Sequence, residues 1–273
     1  MTALEWLQMI LYLGLLVACT PLLGSYMARI FRGEPPRLMT ALAPVERLVY
    51  RLAGVEANEE QTWKQYAGAL LTFNVSGFVL LFILQLAQGY LPFNFTRLPG
   101  VELSLAFNTA TSFMTNTNWQ SYAGETTLSP LTQMVGLTVQ NFVSAATGMA
   151  VAVALARSLV RHSLSTIGNF WADLVRAILY ILLPLTTILA LVLVSQGVIQ
   201  NFSESVVANT VTGATQILPQ GPAASQIAIK QLGTNGGGYF NANGAHPYEN
   251  PTPLSNFLQM FSIVRQAFHH EAG

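Results

Sequence analysis

Apolar residues fall along this chain in long blocks rather than in alternation with polar ones. About 20 apolar residues suffice for a helix to cross the hydrocarbon core of a bilayer. Four such blocks occur, over 7–30, 66–91, 129–156 and 172–198. Pro21 lies inside the first, where neighbouring helices can satisfy the freed backbone groups. The third contains Gly136, Ser144, Ala145, Ala146 and Gly148, small residues that let helices approach closely. A fifth apolar run, 254–268, is too short to span comfortably and carries Arg265.

The polar segments 92–128 and 199–252 share a plan. Each holds a mildly apolar, helix-length stretch, 103–114 in the first and 223–232 in the second. A run of small polar residues follows: Thr115-Asn116-Thr117-Asn118-Trp119-Gln120 in one, Gly233-Thr234-Asn235-Gly236-Gly237-Gly238 in the other. Each then leads into a proline-started apolar block, Ser129-Pro130 and Thr252-Pro253. Proline in the first turn of a helix gives up only an N–H that would be orphaned anyway. The pattern is an internal repeat, span–short helix–polar loop–span, offset by 117 residues at Asn118/Asn235, with both copies running in the same direction. It predicts an all-α integral membrane protein with an extra N-terminal transmembrane helix (1–30) and a cytoplasmic loop (31–64). A first pore-loop repeat (65–157) and a second (158–273), cut short in its last helix, complete the expected organisation.

Composition sharpens the class. Charged residues make up 9% of the chain and hydrophobic ones 52%, against about 25% charged in a soluble domain. Zero net charge argues against a nucleic-acid binder. The single cysteine, Cys19, excludes a disulfide framework or a cysteine metal cluster and reads as a small buried apolar residue. Leu16-Val17-Ala18-Cys19 looks like a lipoprotein cleavage box, but no basic residue precedes the apolar run, as a signal peptide requires, so a retained helix is expected. Nine of the twelve basic residues fall in 29–64 and 157–176; 92–128 and 199–252 hold only Arg97 and Lys230. The positive-inside rule then puts the first two segments in the cytoplasm and the N-terminus outside.

A half-length helix followed by Gly/Asn/Thr backbone has the signature of a re-entrant pore loop, because irregular backbone survives at membrane depth only where it lines a cavity or ion path. The negative end of such a helix favours cations, and an extended loop offers carbonyl oxygens that replace an ion's hydration shell. Gly236, Gly237 and Gly238 supply the backbone freedom that inward-facing carbonyls demand. A phosphate cradle is disfavoured, since the Gly-rich run lacks the Walker lysine and follows no strand. A plain polar loop remains the bland reading of either copy alone, and a carrier with broken helices is the other transport reading.

Lys230 stands just before the second polar run, to tune ion access or to anchor at the interface. His246 and Glu249, lacking a third ligand at metal spacing, are expected to order their loop. Asp173 and Arg176, at i and i+3, read as a local ion pair. Asn74, Gln133, Gln140 and Asn141 are expected to hydrogen-bond between helices. No triad, carboxylate pair or nucleotide motif is present, so ATP hydrolysis is not expected of this chain.

The strings Trp63-Lys64-Gln65-Tyr66, Thr115 through Tyr122, Leu137-Thr138-Val139-Gln140-Asn141-Phe142, Gly233 through Asn243 and His246-Pro247-Tyr248-Glu249-Asn250-Pro251 resemble the potassium-binding A subunit of the bacterial Kdp potassium-transporting ATPase, over about residues 1–262. The resemblance implies membership of the potassium transporter superfamily, with four pore-loop repeats around one filter in the cell (inner) membrane. It implies uptake of external potassium ion, no other cofactor, and delivery to an ATP-hydrolysing B subunit, with C and small F subunits completing the complex. By position it implies potassium ligation by carbonyls around Thr115, Asn116, Thr117 and Asn118, with Gln120 flanking. In the second copy it implies ligation within Gly233, Thr234, Asn235, Gly236, Gly237 and Gly238, with Gly236 the position least tolerant of a side chain. After about residue 262 the family continues with an apolar helix and two more repeats, whereas this chain reads Ile263-Val264-Arg265-Gln266-Ala267-Phe268-His269-His270-Glu271-Ala272-Gly273. That departure predicts a truncated or frame-shifted product, inactive alone, or else a two-repeat chain that dimerises into a channel.

Overall fold

The computed structural model describes residues 2–160, 165–240 and 243–268. Arg161 of the second basic segment, Asn241 and Ala242 of the resembling string, and His269 and His270 lie outside the described residues.

Helix α1 (Ala3–Phe31) begins at a reciprocal cap, in which the Thr2 hydroxyl accepts from Glu5 N–H and the Glu5 carboxylate accepts from Thr2 N–H. Helix α2 (Ala43–Ala53) follows a 3₁₀ turn (Arg37–Leu42) and ends at Gly54, in the left-handed region. Strand β1 (Gln61–Thr62) leads into α3 (Trp63–Ala87), capped in the same way by Thr62 and Gln65. Next come α4 (Leu103–Met114) and the single turn α5 (Gly124–Thr127). A π-helical turn (Thr132–Thr138) runs straight into α6 (Val139–Val160). Strand β2 (Thr166–Gly168), antiparallel to β1, precedes α7 (Phe170–Arg176), which continues through a second π segment (Ala177–Leu182) into α8 (Leu183–Ser195). A hairpin of β3 (Val206–Asn209) and β4 (Thr215–Leu218) leads to α9 (Ala223–Leu232), and α10 (Pro253–Phe268) ends the described chain.

Four of these helical stretches are long and apolar enough to cross a membrane: Ala3–Phe31, Trp63–Tyr90, Thr132–Val160 and Phe170–Ser195. The chain is therefore a mostly helical, multi-pass membrane protein, with two small ribbons that the expectation of a purely α fold did not include. The outer faces of α1 and α3 carry exposed Leu, Ile and Val residues, such as Leu11, Leu22, Leu71 and Leu80, the surface a lipid environment accepts. The main core packs Leu23, Met27 and Ile30 of α1 and Tyr66 of α3 against Ala145, Ala146, Met149 and Ala150 of α6, and against Phe170, Leu174 and Tyr180. The small residues of α6 are what allow this approach. At Gly136, in the π turn before it, an added methyl would come within 2.7 Å of Leu84.

At one end of this core the buried Asp173 carboxylate receives both guanidinium nitrogens of Arg157, at 2.6 and 2.9 Å, and the Tyr66 hydroxyl at 3.2 Å. Arg176 turns instead to Glu46 of α2, with Nε to Oε1 at 3.4 Å. The expected Asp173–Arg176 pair is thus corrected. A carboxylate that is 1% exposed needs a donor fork facing it across the helix packing, and α6 supplies one where its own helix does not.

Candidate ion-binding site

Helices α4 and α9 occupy the two stretches expected to be short helices, and each ends in a loop of the same backbone form. Thr115 N–H and Gly233 N–H donate four residues back, to Thr111 and Ile229 carbonyls. Asn116 N–H and Thr234 N–H donate three residues back, to Phe113 and Gln231. Asn118 N–H and Gly236 N–H reach six residues back, to Ser112 and Lys230. Positive φ recurs at Asn116 (61°) and Asn118 (55°), and at Thr234 (56°) and Gly236 (69°). All these pairs share the spacing of Gln120 and Gly238, 118 residues. The 117-residue offset at Asn118/Asn235 is therefore corrected: the Thr-Asn strings match by side chain, but each loop is set by the distance from its own helix end. Asn118 corresponds to Gly236, and Gln120 to Gly238.

After these helix-closing bonds, the carbonyls of Thr115, Asn116, Thr117 and Asn118 accept no hydrogen bond among the described residues, and neither do those of Thr234, Asn235, Gly236 and Gly237. Thr115 and Thr117 are exposed, but Asn116, Asn118 and Thr234 through Gly237 are buried or half-buried, where backbone oxygens are normally paired. Two parallel runs of free oxygens are the kind of donor set a cation takes. The ends of the second run are different. Gly233 O accepts from Asn116 Nδ2 at 3.2 Å, while Gly238 O accepts from Lys230 Nζ at 2.6 Å and from Gln120 Nε2 at 3.0 Å.

Side chains hold the two loops to each other. Gln120 completes a two-bond clamp on Gly238, since Gly238 N–H donates to Gln120 Oε1 at 2.9 Å. Asn235 Nδ2 donates to Asn116 Oδ1 and, at 3.3 Å, to Ser144 Oγ; Ser144 Oγ donates to Asn116 Oδ1 at 2.8 Å. Asn118 Nδ2 donates to Asn141 Oδ1 of α6 at 2.7 Å. Asn118 Oδ1 and Asn235 Oδ1 remain buried with no hydrogen-bond partner among the described residues.

Lys230 is fully buried, with its ammonium 5.3 Å from the centre of the Phe113 ring. An interfacial anchor would keep its charge in the headgroups, so that half of the expectation is overturned. Glu249 also sits within the protein. Its Oε1 accepts from Tyr239 N–H and, at 2.8 Å, from Phe240 N–H, while His246 lies against the Phe240 ring at 4.7 Å. These contacts give His246 and Glu249 the loop-ordering part read for them. Burial pushes the Glu249 carboxyl up to about 7, against the pull of its two amide donors and of Lys230.

The glycines divide by cause. At Gly236 an added methyl would meet only Ile263, at an ordinary 3.6 Å, so the constraint there is the positive φ. At Gly238 it would come within 2.5 Å of Glu249 Oε2 and 2.7 Å of Gly244 N. Gly236 is thus held by its backbone angle, whereas Gly238, like Gly233 against Asn235 Oδ1, is held by its neighbours.

Of the polar residues read as interhelical, Gln133 reaches the Tyr239 carbonyl at 3.1 Å and Asn141 holds Asn118. Asn74 turns back onto Leu70 of its own helix. Gln140 packs on Gly77, where an added methyl would lie 2.7 Å from its Oε1. Ser144, expected only as a small packing residue, also bonds Asn116. Ser112, whose hydroxyl accepts from Trp119 N–H at 2.5 Å, has no counterpart in the sequence reading, because a serine inside an apolar helix carries no sequence mark of its partner. Cys19 is half-buried.

A family model described as "Potassium-transporting ATPase A subunit" matches residues 10–269. The chain belongs to that family. Proteins named potassium-transporting ATPase potassium-binding subunit are similar to it throughout: 61% identical in Methylorubrum extorquens over 96% of this chain, 62% in Rhodospirillum centenum over 97%, and 58% in Pseudomonas syringae pv. tomato over 97%. These matches cover 46%, 46% and 47% of the relatives, so the chain spans about half their length.

Proposed function

We propose that this chain carries two of the filter segments of a potassium-transporting ATPase A subunit, which binds external potassium ion and passes it to an ATP-hydrolysing partner. The observation that carries the reading is the pair of free-carbonyl runs at equal distance from the ends of α4 and α9. In this reading the ligands are backbone oxygens of Asn116, Thr117 and Asn118 and of Thr234, Asn235 and Gly236. Thr115, Gly233 and Gly237 bound the ladder, while Gln120 and Lys230 fix its edge at Gly238. A dehydrated cation is held by such oxygens because they replace water at comparable distance. The α4 and α9 dipoles, with their negative ends at the loops, add to the attraction.

Residues 65–157 and 158–268 are then two parallel pore-loop repeats after an N-terminal helix, with residues 31–64 in the cytoplasm and the N-terminus outside. The excess of basic residues in 29–64 supports this orientation. The chain itself supplies ion binding and no ATP chemistry, the B, C and F subunits being its partners in the inner membrane. The remaining filter segments come from the half of the relatives that this chain does not match. A chimera tests the reading: residues 10–262 replace the corresponding half of the Rhodospirillum centenum relative, in a strain lacking its own high-affinity potassium uptake. Growth on limiting potassium is the expected result. A chimera that reaches the membrane in normal amount but restores no growth, with no potassium-stimulated ATP hydrolysis in the purified complex, overturns it.

A further inference from the structure

Helix α2 is turned the wrong way round for a protein in water. Its apolar residues Val45, Leu48, Val49 and Leu52 follow the i, i+3, i+4, i+7 spacing of one helix face, and all four are exposed, Leu52 at 79%. Leu38, in the preceding turn, is 82% exposed. The polar side is what faces the protein. Glu46 Oε2 accepts from the Tyr180 hydroxyl at 2.6 Å, and its Oε1 accepts from Tyr50 at 2.8 Å and from Arg176. Met39 and Leu42 of the 3₁₀ turn pack on the main core, so the segment is pinned with its apolar stripe outward.

The position of the segment says what covers that stripe. The spans α1 and α3 end and begin at Phe31 and Trp63, so 32–62 leaves and rejoins the bilayer on one face. Exposed Trp63, with the Lys64 ammonium 5.6 Å from its ring, is the kind of pair that marks a membrane–water boundary. Within 37–53, Arg37, Arg47 and Arg51 are exposed, while the one acid of that stretch, Glu46, is engaged inward. Apolar residues outward and exposed guanidinium groups beside them match a leaflet surface carrying anionic phospholipid. We infer that 37–53 is a membrane-surface anchor, lying flat with Leu38, Val45, Leu48 and Leu52 in the headgroup–acyl boundary and its arginines on anionic headgroups. The inference rests on the four spans and not on the potassium reading.

The test uses the full chain with Cys19→Ala and single nitroxide-labelled cysteines at 45, 47, 48, 51 and 52, in nanodiscs of phosphatidylcholine with or without phosphatidylglycerol. Labels at 45, 48 and 52 are expected to collide with oxygen in preference to a water-soluble nickel chelate, and labels at 47 and 51 to show the reverse. Equal nickel access at all five positions overturns the inference, as does a face closed to both reagents, which a second copy of the chain would produce. On the unlabelled chain, amide exchange over 43–53 is expected to be at least threefold slower with phosphatidylglycerol. Equal rates overturn the role given to the arginines.

Discussion

The loops after α4 and α9 share one backbone course and reach it with different chemistry. In the first, Asn116 and Asn118 take the left-handed conformation, which asparagine tolerates better than other side-chain-bearing residues, and each amide then braces a neighbour. The second puts Thr234 and two glycines in that conformation. Beneath the first loop sits Ser112, a neutral acceptor for Trp119 N–H; at the equivalent place beneath the second sits Lys230, a buried cation on Gly238 O. The first is more open, with Thr115, Thr117 and Trp119 exposed, whereas Gly233, Asn235 and Gly238 are buried. Equal backbones therefore do not imply equal roles. The first loop is held by neutral amides beneath an exposed rim, the second by packing and by the buried Lys230 amine.

The largest break in this comparison is expected at Gly238. Gly238→Ala forces a methyl against Glu249 and the Gly244 amide, an overpacking cost of about 3 kcal/mol. Gln120→Ala, at the equivalent position, loses only the clamp and costs about 1 kcal/mol; thermal unfolding of the two purified variants compares them. Next comes Glu249→Ala, which strips two buried amides of their acceptor at about 2 kcal/mol, while Glu249→Gln keeps an acceptor oxygen and most of that stability. Burial raises the folded-state carboxyl of Glu249 to about 7, so the folded chain binds the extra proton. Its contribution to stability then grows as pH falls from about 7 toward the ordinary carboxylate range, a slope that Glu249→Gln flattens in a melting series against pH.

Lys230→Met removes a charge-assisted bond of about 1.5 kcal/mol and leaves Gly238 O on Gln120 alone. A potassium affinity changed about tenfold in the chimera, against little change for Ser112→Ala, would sharpen the contrast; equal effects would erase it. The smallest change expected is Thr234→Gly. It relieves a β-branched residue from positive φ, and the melting temperature should rise by the equivalent of about 0.5 kcal/mol after the added chain entropy of glycine is counted.

Much of the fold was legible because a membrane writes long signals. The four spans and the short helices α4 and α9 emerged from apolar block length alone, with ends close to those found. What stayed hidden depends on contacts distant in sequence. Arg157 meets Asp173 from the preceding span, whereas the i+3 neighbour Arg176 was the pairing that local spacing offered. The register of the two loops was masked by repeated Thr-Asn strings, since a match of letters says nothing of distance from a helix end. The β3–β4 hairpin lay in a segment read only as polar loop, although Val206, Val207 and Ile217 are the β-branched residues a strand favours. Of the site, the residue types were visible and the bracing was not: neither Ser144 nor the burial of Lys230 leaves a local mark.

The π turn over Thr132–Thr138 has a consequence for insertions and deletions rather than substitutions. It holds more residues per turn than an α-helix, closed in part by the Thr138 hydroxyl on Gln133 O at 2.9 Å, and it contains Gln133, whose amide grips Tyr239 from the other half of the chain. Deleting one residue, such as Val135, lets the turn relax to ordinary α-helix and swings Gln133 by about 100° around the axis. The shortened helix would be locally more regular, yet the two halves would lose one of their links. Here local regularity and long-range fit oppose one another, and the wider turn records which of them prevails.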